Sequence, residues 1–232
     1  MMMTIFNKAF TAQPAIRGAG ICATTLVIAA CSGSPTPNYY TLANKVTPLP
    51  NSKVKVIEVL PVGLPDRINR ASLVIQESNG RSNILDNERW TSTLGSELRD
   101  NLSAGLQQKL GAVDRYNSGM IGGKVSYRVA TDFSHFDIVN TASANTKNVE
   151  VSVAWIIKRN DPNITIDQNS TQNQQLACRM TFSQPVTASN PQISTIVSTA
   201  SASLGRVIDA MAVSVAALDA KAPVRIEGAV CS

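Results

Sequence analysis

Three stretches of the chain alternate apolar and polar residues with a period of two, and this constrains the fold more than anything else in the sequence. Val125, Tyr127, Val129 and Phe133 alternate with Lys124, Ser126, Arg128 and Asp132. Val149, Val151, Val153, Trp155 and Ile157 alternate with Glu150, Ser152 and Lys158. Leu176, Cys178, Met180 and Phe182 alternate with Gln175, Arg179 and Ser183. Such patterns predict strands of an antiparallel sheet with one face covered and the other wet. The polar stretches 140–148 and 159–173 join them as a meander. Cys178 falls on the apolar phase and is expected to point toward the covering layer.

Two helical periodicities supply that layer. From an N-cap at Asp86 or Asn87, a ridge of Trp90, Leu94, Leu98, Leu102, Leu106 and Leu110 repeats every four residues, and Gly111 is a natural stop. A second helix, capped by Asn190 with Pro191 in its first turn, carries Ile193, Ile196, Val197, Ala200, Leu204, Val207, Ile208, Met211, Val215 and Leu218 on one face. Upstream, Lys53–Leu60 reads as a strand whose apolar phase switches between Val56 and Ile57, so it is either buried on both faces or bulged. Leu73–Ile75 is a short strand followed by an Asn79–Gly80 turn. Val224–Ile226 is expected as an edge strand carrying Cys231 toward Cys178. The order of elements predicts an α+β fold: an antiparallel sheet of about five to six strands with two long helices on one face.

The N-terminus has a separate logic. Lys8 and Arg17 precede a short apolar run that ends Leu26-Val27-Ile28-Ala29-Ala30-Cys31-Ser32-Gly33, with no acidic residue upstream. Cationic, then apolar, then small is the layout of a secretory signal. A cysteine directly after the small pair makes it resemble a bacterial lipoprotein signal, with Cys31 as the acylated first residue of the mature chain. The apolar run is half the length of about 20 residues that a membrane span needs. Ordinary secretory cleavage fits poorly before Cys31, where Ile28 occupies a small-residue position; a cut after Ser32 is the alternative. Ser32 in place of Asp resembles the signal for onward export to the outer membrane. The expected organisation is a signal peptide at 1–30, a lipidated cysteine and short tether at 31–50, and one α+β domain at 51–232. Fully extended, the chain from Cys31 to Tyr39 reaches at most about 29 Å, which holds the domain close to the bilayer.

Cleavage leaves about 200 residues, enough for one domain with a substantial core. It also removes two of the 21 basic residues, which face 16 acidic ones. The remaining Lys and Arg are scattered without interleaved aromatics, which gives no support to nucleic-acid binding. Of four cysteines, Cys22 leaves with the signal and Cys31 is acylated. In an oxidising compartment the remaining pair suggests a disulfide, Cys178–Cys231. The other reading is two free thiols, one buried and one on a frayed tail.

Little catalytic chemistry is legible. The chain has one histidine, His135, too few for a histidine-based metal site, and a lone strand-end histidine is usually structural. No G-x-S-x-G elbow is present. Gly119–Gly123 lacks phosphate-loop spacing and leads toward a strand. Asp66-Arg67, in a loop bounded by prolines, is the most notable charged pair, either functional or a solvated turn. No carboxylate pair is placed for acid–base work. The expectation is a non-enzyme with no catalytic residues, metal or cofactor.

Several of these pieces occur together in a known family. They are Tyr39-Tyr40-Thr41-Leu42, then Val56 to Val62 with Leu64-Pro65 and Asp66-Arg67, then Asn87-Glu88-Arg89-Trp90 opening a helix with Leu94 and Leu98 to Leu110, and finally Leu204 to Ala210. In order and spacing the chain resembles the ABC-type transport auxiliary lipoproteins of the PqiC type. It departs from them in a shorter approach to Asp66-Arg67 and in Asn69–Ser72 after it. The resemblance implies an outer-membrane lipoprotein facing the periplasm, whose partner is an MCE-domain (mammalian cell entry) protein of an intermembrane lipid-transport system. A homo-oligomer is a further expectation. A structural or assembly lipoprotein of another envelope machine, such as a secretion pore, is the alternative, and a secreted hydrolase relying on His135 is a third class.

Overall fold

A computed structural model describes residues 35–116, 124–141, 146–163, 174–187 and 192–232. The signal region, Cys31, Gly119–Gly123, Asn190 and Pro191 lie outside the described residues. Pro37–Ser232 is one unit, built on a nine-stranded sheet with two helices packed against it.

The three alternating stretches form the centre of the sheet as β6 (Ser126–Asn140), β7 (Lys147–Asn160) and β8 (Gln175–Pro185), paired antiparallel in sequence order. The apolar phase of β7, from Val149 to Ile157, is almost fully buried. In β6 the alternation breaks after Phe133 because Ser134 is an extra residue: Phe133 faces Val153 and His135 faces Ser152. This bulge moves the apolar phase onto Phe136 and Ile138. Phe133 and Phe136 then meet edge-on, with ring centroids 5.7 Å apart. The strand therefore runs seven residues beyond the point where its simple pattern ends.

The flanking strands correct the expected all-antiparallel sheet of five to six strands. β2 (Val56–Val59) lies parallel to β6 and to the two-residue β5 (Val113–Asp114). β3 (Ser72–Gln76) is also parallel to β6. The physical cause is the connection through the first helix, which carries the chain back over the sheet before β6 begins. With neighbours on both sides, β2 buries Ile57, Glu58 and Val59 in succession. Two-faced burial, rather than a bulge, explains its phase switch.

Residues 82–90 are not the start of a helix. They form β4 (Ser82–Trp90), the second arm of a hairpin with β3, turned at Gly80 with φ 83°. Helix α1 runs Leu94–Leu110 from an N-cap at Thr93 to Gly111, whose φ of 63° ends it in the left-handed region. Its leucine ridge is buried from Leu94 to Leu110, and Trp90 joins the same core from the strand.

Helix α2 (Ile193–Ala220) begins after Gln192 and carries the expected apolar face, buried from Ile196 to Leu218. It is long and apolar enough to cross a membrane, with mean hydropathy 1.4, yet 56% of that window is buried within the protein. It is the core helix of the layer. Trp155 Nε1–H donates to Ser214 Oγ at 3.2 Å, and the Tyr127 hydroxyl donates to Asp219 at 2.6 Å. The two helices approach closely at Gly105, where a Cβ would lie 2.7 Å from Ile208 Cδ1.

Val224–Ile226 forms no strand. The edge is β9 (Ala229–Cys231), antiparallel to β8 and placing Cys231 directly opposite Cys178. The two are joined by a disulfide with Cα atoms 4.1 Å apart. Cys178 points into the helix layer as expected, with its sulfur 3.8 Å from Ser214 Oγ.

Candidate functional site

The features that bear on the expected anchor lie where the chain enters the fold. Asn38–Tyr40 forms β1, parallel to the end of β4 with Tyr39 opposite Arg89 and Tyr40 opposite Trp90. The next residues are held by a single carboxylate. Glu97, in the first turn of α1 and 6% exposed, accepts from Thr41 Oγ1 at 3.0 Å, the Leu42 N–H at 3.3 Å, Ser92 Oγ at 3.2 Å and Thr91 Oγ1. A carboxylate offers about four lone-pair sites, and here four donors use them. Leu42, 2% exposed, is drawn into the core.

The chain then straps across the helix layer. The Ala43 N–H donates to Ser201 Oγ on α2, and the Leu49 N–H donates to the Lys109 carbonyl at the end of α1. Beneath the strap Lys109 pairs with Asp209, tying the helices to each other. Residues 38–50, grouped with the tether on sequence grounds, are therefore packed against both helices. Cys31 precedes β1 by seven residues, a span of at most about 25 Å.

The strap leaves the outer face of α2 open as a groove. Between residues 40–46 and the first half of α2 lies a cavity of about 640 Å³, lined on the helix side by Ser198, Ala202, Gly205, Arg206 and Asp209. A second of about 730 Å³ lies between residues 49–53 and Val213–Ala220. A third of about 370 Å³ separates the middle of α2 from Arg225–Glu227.

On the far face of the sheet, the bulge in β6 sets His135 and Asp137 side by side. Arg67, from the 61–71 loop, donates to Asp137 Oδ2 at 2.9 Å, and His135 Nδ1 lies 2.8 Å from the same oxygen. Asp137 is 3% exposed, so the cluster is a buried carboxylate clamped by two surface groups. Of the pair singled out in the sequence, Arg67 thus makes a structural contact and Asp66 takes no part in it. The arrangement pins the loop to the sheet. Among the described residues, the side chains within hydrogen-bond distance of His135 are Arg67 and Asp137.

A second buried carboxylate lies on the same face. Glu58 accepts from Arg115 Nε at 2.8 Å and Arg128 Nε at 2.9 Å, while Arg115 also donates to Ser126 Oγ. Burial alone would push the Glu58 carboxyl up, but the bonds and charges of the two guanidinium groups outweigh it and hold it below its usual range. Tyr127, on the helix face, is pushed up to about 12 by burial and by its bond to Asp219. Among the described residues no three His, Cys, Asp or Glu side chains gather to hold a metal ion. Glu58 and Glu97 were not singled out from the sequence. Glu58 carries one signal there, a carboxylate embedded in the apolar run Val56–Leu60, while Glu97 sits among polar residues and carries none.

Comparison with known proteins places this body in a family. The model of the ABC-type transport auxiliary lipoprotein component family matches residues 40–212, from β1 into α2. No curated protein matches the chain. Among solved structures, one described only as an uncharacterized protein is similar, with TM-score 0.56 and 20% identity. That alignment covers 78% of this chain and 99% of that one. The protein XCC0632 from Xanthomonas campestris, of family DUF330, is similar with TM-score 0.56 and 13% identity over 79% of this chain and 96% of its own. Identities this low establish a shared fold. Cys178 lies within the matched stretch and Cys231 beyond it, so the disulfide ties the matched region to the C-terminal edge strand. The match itself spans most of the folded unit, and the chain belongs to the ABC-type transport auxiliary lipoprotein component family.

Proposed function

We propose that this protein is a non-catalytic docking component of an intermembrane lipid-transport system, acylated at Cys31, seated on the periplasmic face of the outer membrane and engaging an MCE-domain bridge. Family membership makes it an auxiliary lipoprotein of an ABC-type transport system, and hence membrane-anchored and non-catalytic. The finer reading rests on one observation: the lipoprotein-like cysteine lies seven residues before a strand that is hydrogen-bonded into the rim of the body. A partner gripping this domain would therefore be held within a short, fixed reach of the bilayer. Three acyl chains, at about 0.8 kcal/mol per buried methylene, make such an anchor effectively permanent. Signal cleavage before Cys31 and a tether confined to residues 31–37 are part of the same proposal.

Two measurements test it. Intact mass of the protein from its own host should show loss of residues 1–30 and added fatty acyl mass on Cys31. Co-purification from outer membranes should enrich an MCE-domain protein over a control lipoprotein. An unmodified Cys31, or no enrichment, rejects the reading.

A further inference from the structure

The three cavities along α2 adjoin. The first and third share Arg206 and Asp209, and the second and third share Val213. From Ser194 to Ala220 they follow the helix for about 40 Å, with the strap on one side and Arg225–Glu227 on the other. The floor is shallow because Ala202 and Ala217 project little, while at Gly205 Asn44 of the strap already lies over the helix. An occupant must present a long apolar stripe without leaving backbone amides unpaired against that floor. An α-helix does so, since it satisfies its own backbone, whereas an added strand or loop does not.

The charges on the walls select the helix. Among the described residues Lys45, Lys53 and Arg225 are exposed and have no ion-pair partner. Arg206 stands over the Phe182 ring at 4.0 Å with its charge uncompensated by a carboxylate. Of the acids nearby, Asp209 is paired with Lys109, while Asp219, bonded to a neutral hydroxyl, keeps its charge. Asp219 and Glu227 together stand against four cations, so the walls keep a net positive charge.

We propose that the α2 groove is the seat of an amphipathic helix with acidic flanks, contributed by the partner polypeptide of the transport system. This rests on the docking role proposed above and places its interface on the helix layer rather than on the open sheet face.

The test uses the full-length lipoprotein, extracted in detergent, and the MCE-domain protein of the same host. Lys53→Glu combined with Arg225→Glu should weaken capture of that protein about tenfold or more, with the loss growing at low salt. Ala202→Trp, which fills the exposed floor, should weaken it independently, while Thr181→Trp on the sheet face should not. A photo-crosslinker at residue 202 should map to a helix of the partner carrying Asp or Glu beside its apolar stripe. Wild-type capture that survives both groove changes overturns the inference and leaves the docking role standing. Absent capture by the wild type removes the docking role and this inference with it. Groove changes that abolish binding to phosphatidylglycerol vesicles, with capture of the protein partner unchanged, overturn it in favour of a lipid occupant.

Discussion

Replacing Glu97 with alanine should free the entry segment from the body. In the folded protein this carboxylate takes four donors, two of them from Thr41 and Leu42 and two from Thr91 and Ser92. The Leu42 amide is buried, and orphaning such a donor costs about 1–3 kcal/mol. The three hydroxyls lie nearer the surface and can turn toward water, so each adds less than a full charged hydrogen bond. About 3 kcal/mol is the expected total, or a fall in Tm of about 6–12 °C for a domain of this size. The loss is local first: exchange of the Leu42 amide should speed up about 100-fold, while amides in β7 change only with global stability. Glu97→Gln, which keeps one acceptor, should cost about 1 kcal/mol. Hydrogen exchange followed by mass spectrometry, read beside thermal unfolding, separates these effects. Unchanged exchange at residues 38–43 in Glu97→Ala would refute the claim that one carboxylate fastens the chain's entry into the fold.

Other expectations follow from the same structure. The Cys178–Cys231 bond closes a loop with sequence separation 53; loop-closure entropy gives about 4 kcal/mol, so a double Cys→Ala variant should melt well below the oxidised wild type and be insensitive to reductant. Glu58 has its carboxyl held below the ordinary 4.5 in the folded protein, so its contribution is fully present above that value and disappears as pH falls through the lowered one. Urea midpoints of wild type and Glu58→Gln should therefore differ at pH 7 and converge in acid, and a constant gap would contradict the linkage. Gly105→Ala places a methyl against buried Ile208. The overpacking, about 1–3 kcal/mol, should outweigh the gain in helix propensity, and adding Ile208→Val should recover most of the loss in a denaturant double-mutant cycle.

Local pattern carried much of the fold. Period-two alternation located β6, β7 and β8, and four-residue and helical spacing located the buried ridges of α1 and α2, because a repeat in sequence maps directly onto one face of a regular element. Asn79–Gly80 and Gly111 likewise mark their turn and stop through backbone freedom alone. The same rule misplaced the start of α1. Trp90 continues the leucine spacing, but it reaches the core from the end of β4, and spacing cannot distinguish a helix from a strand whose last residue enters the same core.

Tertiary structure decided the rest. The parallel pairing of β2 and β3 with β6 depends on where α1 carries the chain, a long-range event with no local mark. So does the bulge at Ser134, which returns the apolar phase to the core and gathers His135, Asp137 and Arg67 on the other face. Glu58 gains its guanidinium partners, and Glu97 its bonds to Thr41 and Leu42, only when segments 55 or more residues away arrive. The sequence alone determined which residues are apolar at what period, where two cysteines are available to pair, and that a cysteine follows an exported-type apolar run. Only folding determined which strands became neighbours and which buried charges found partners, because both depend on contacts between segments remote in the chain.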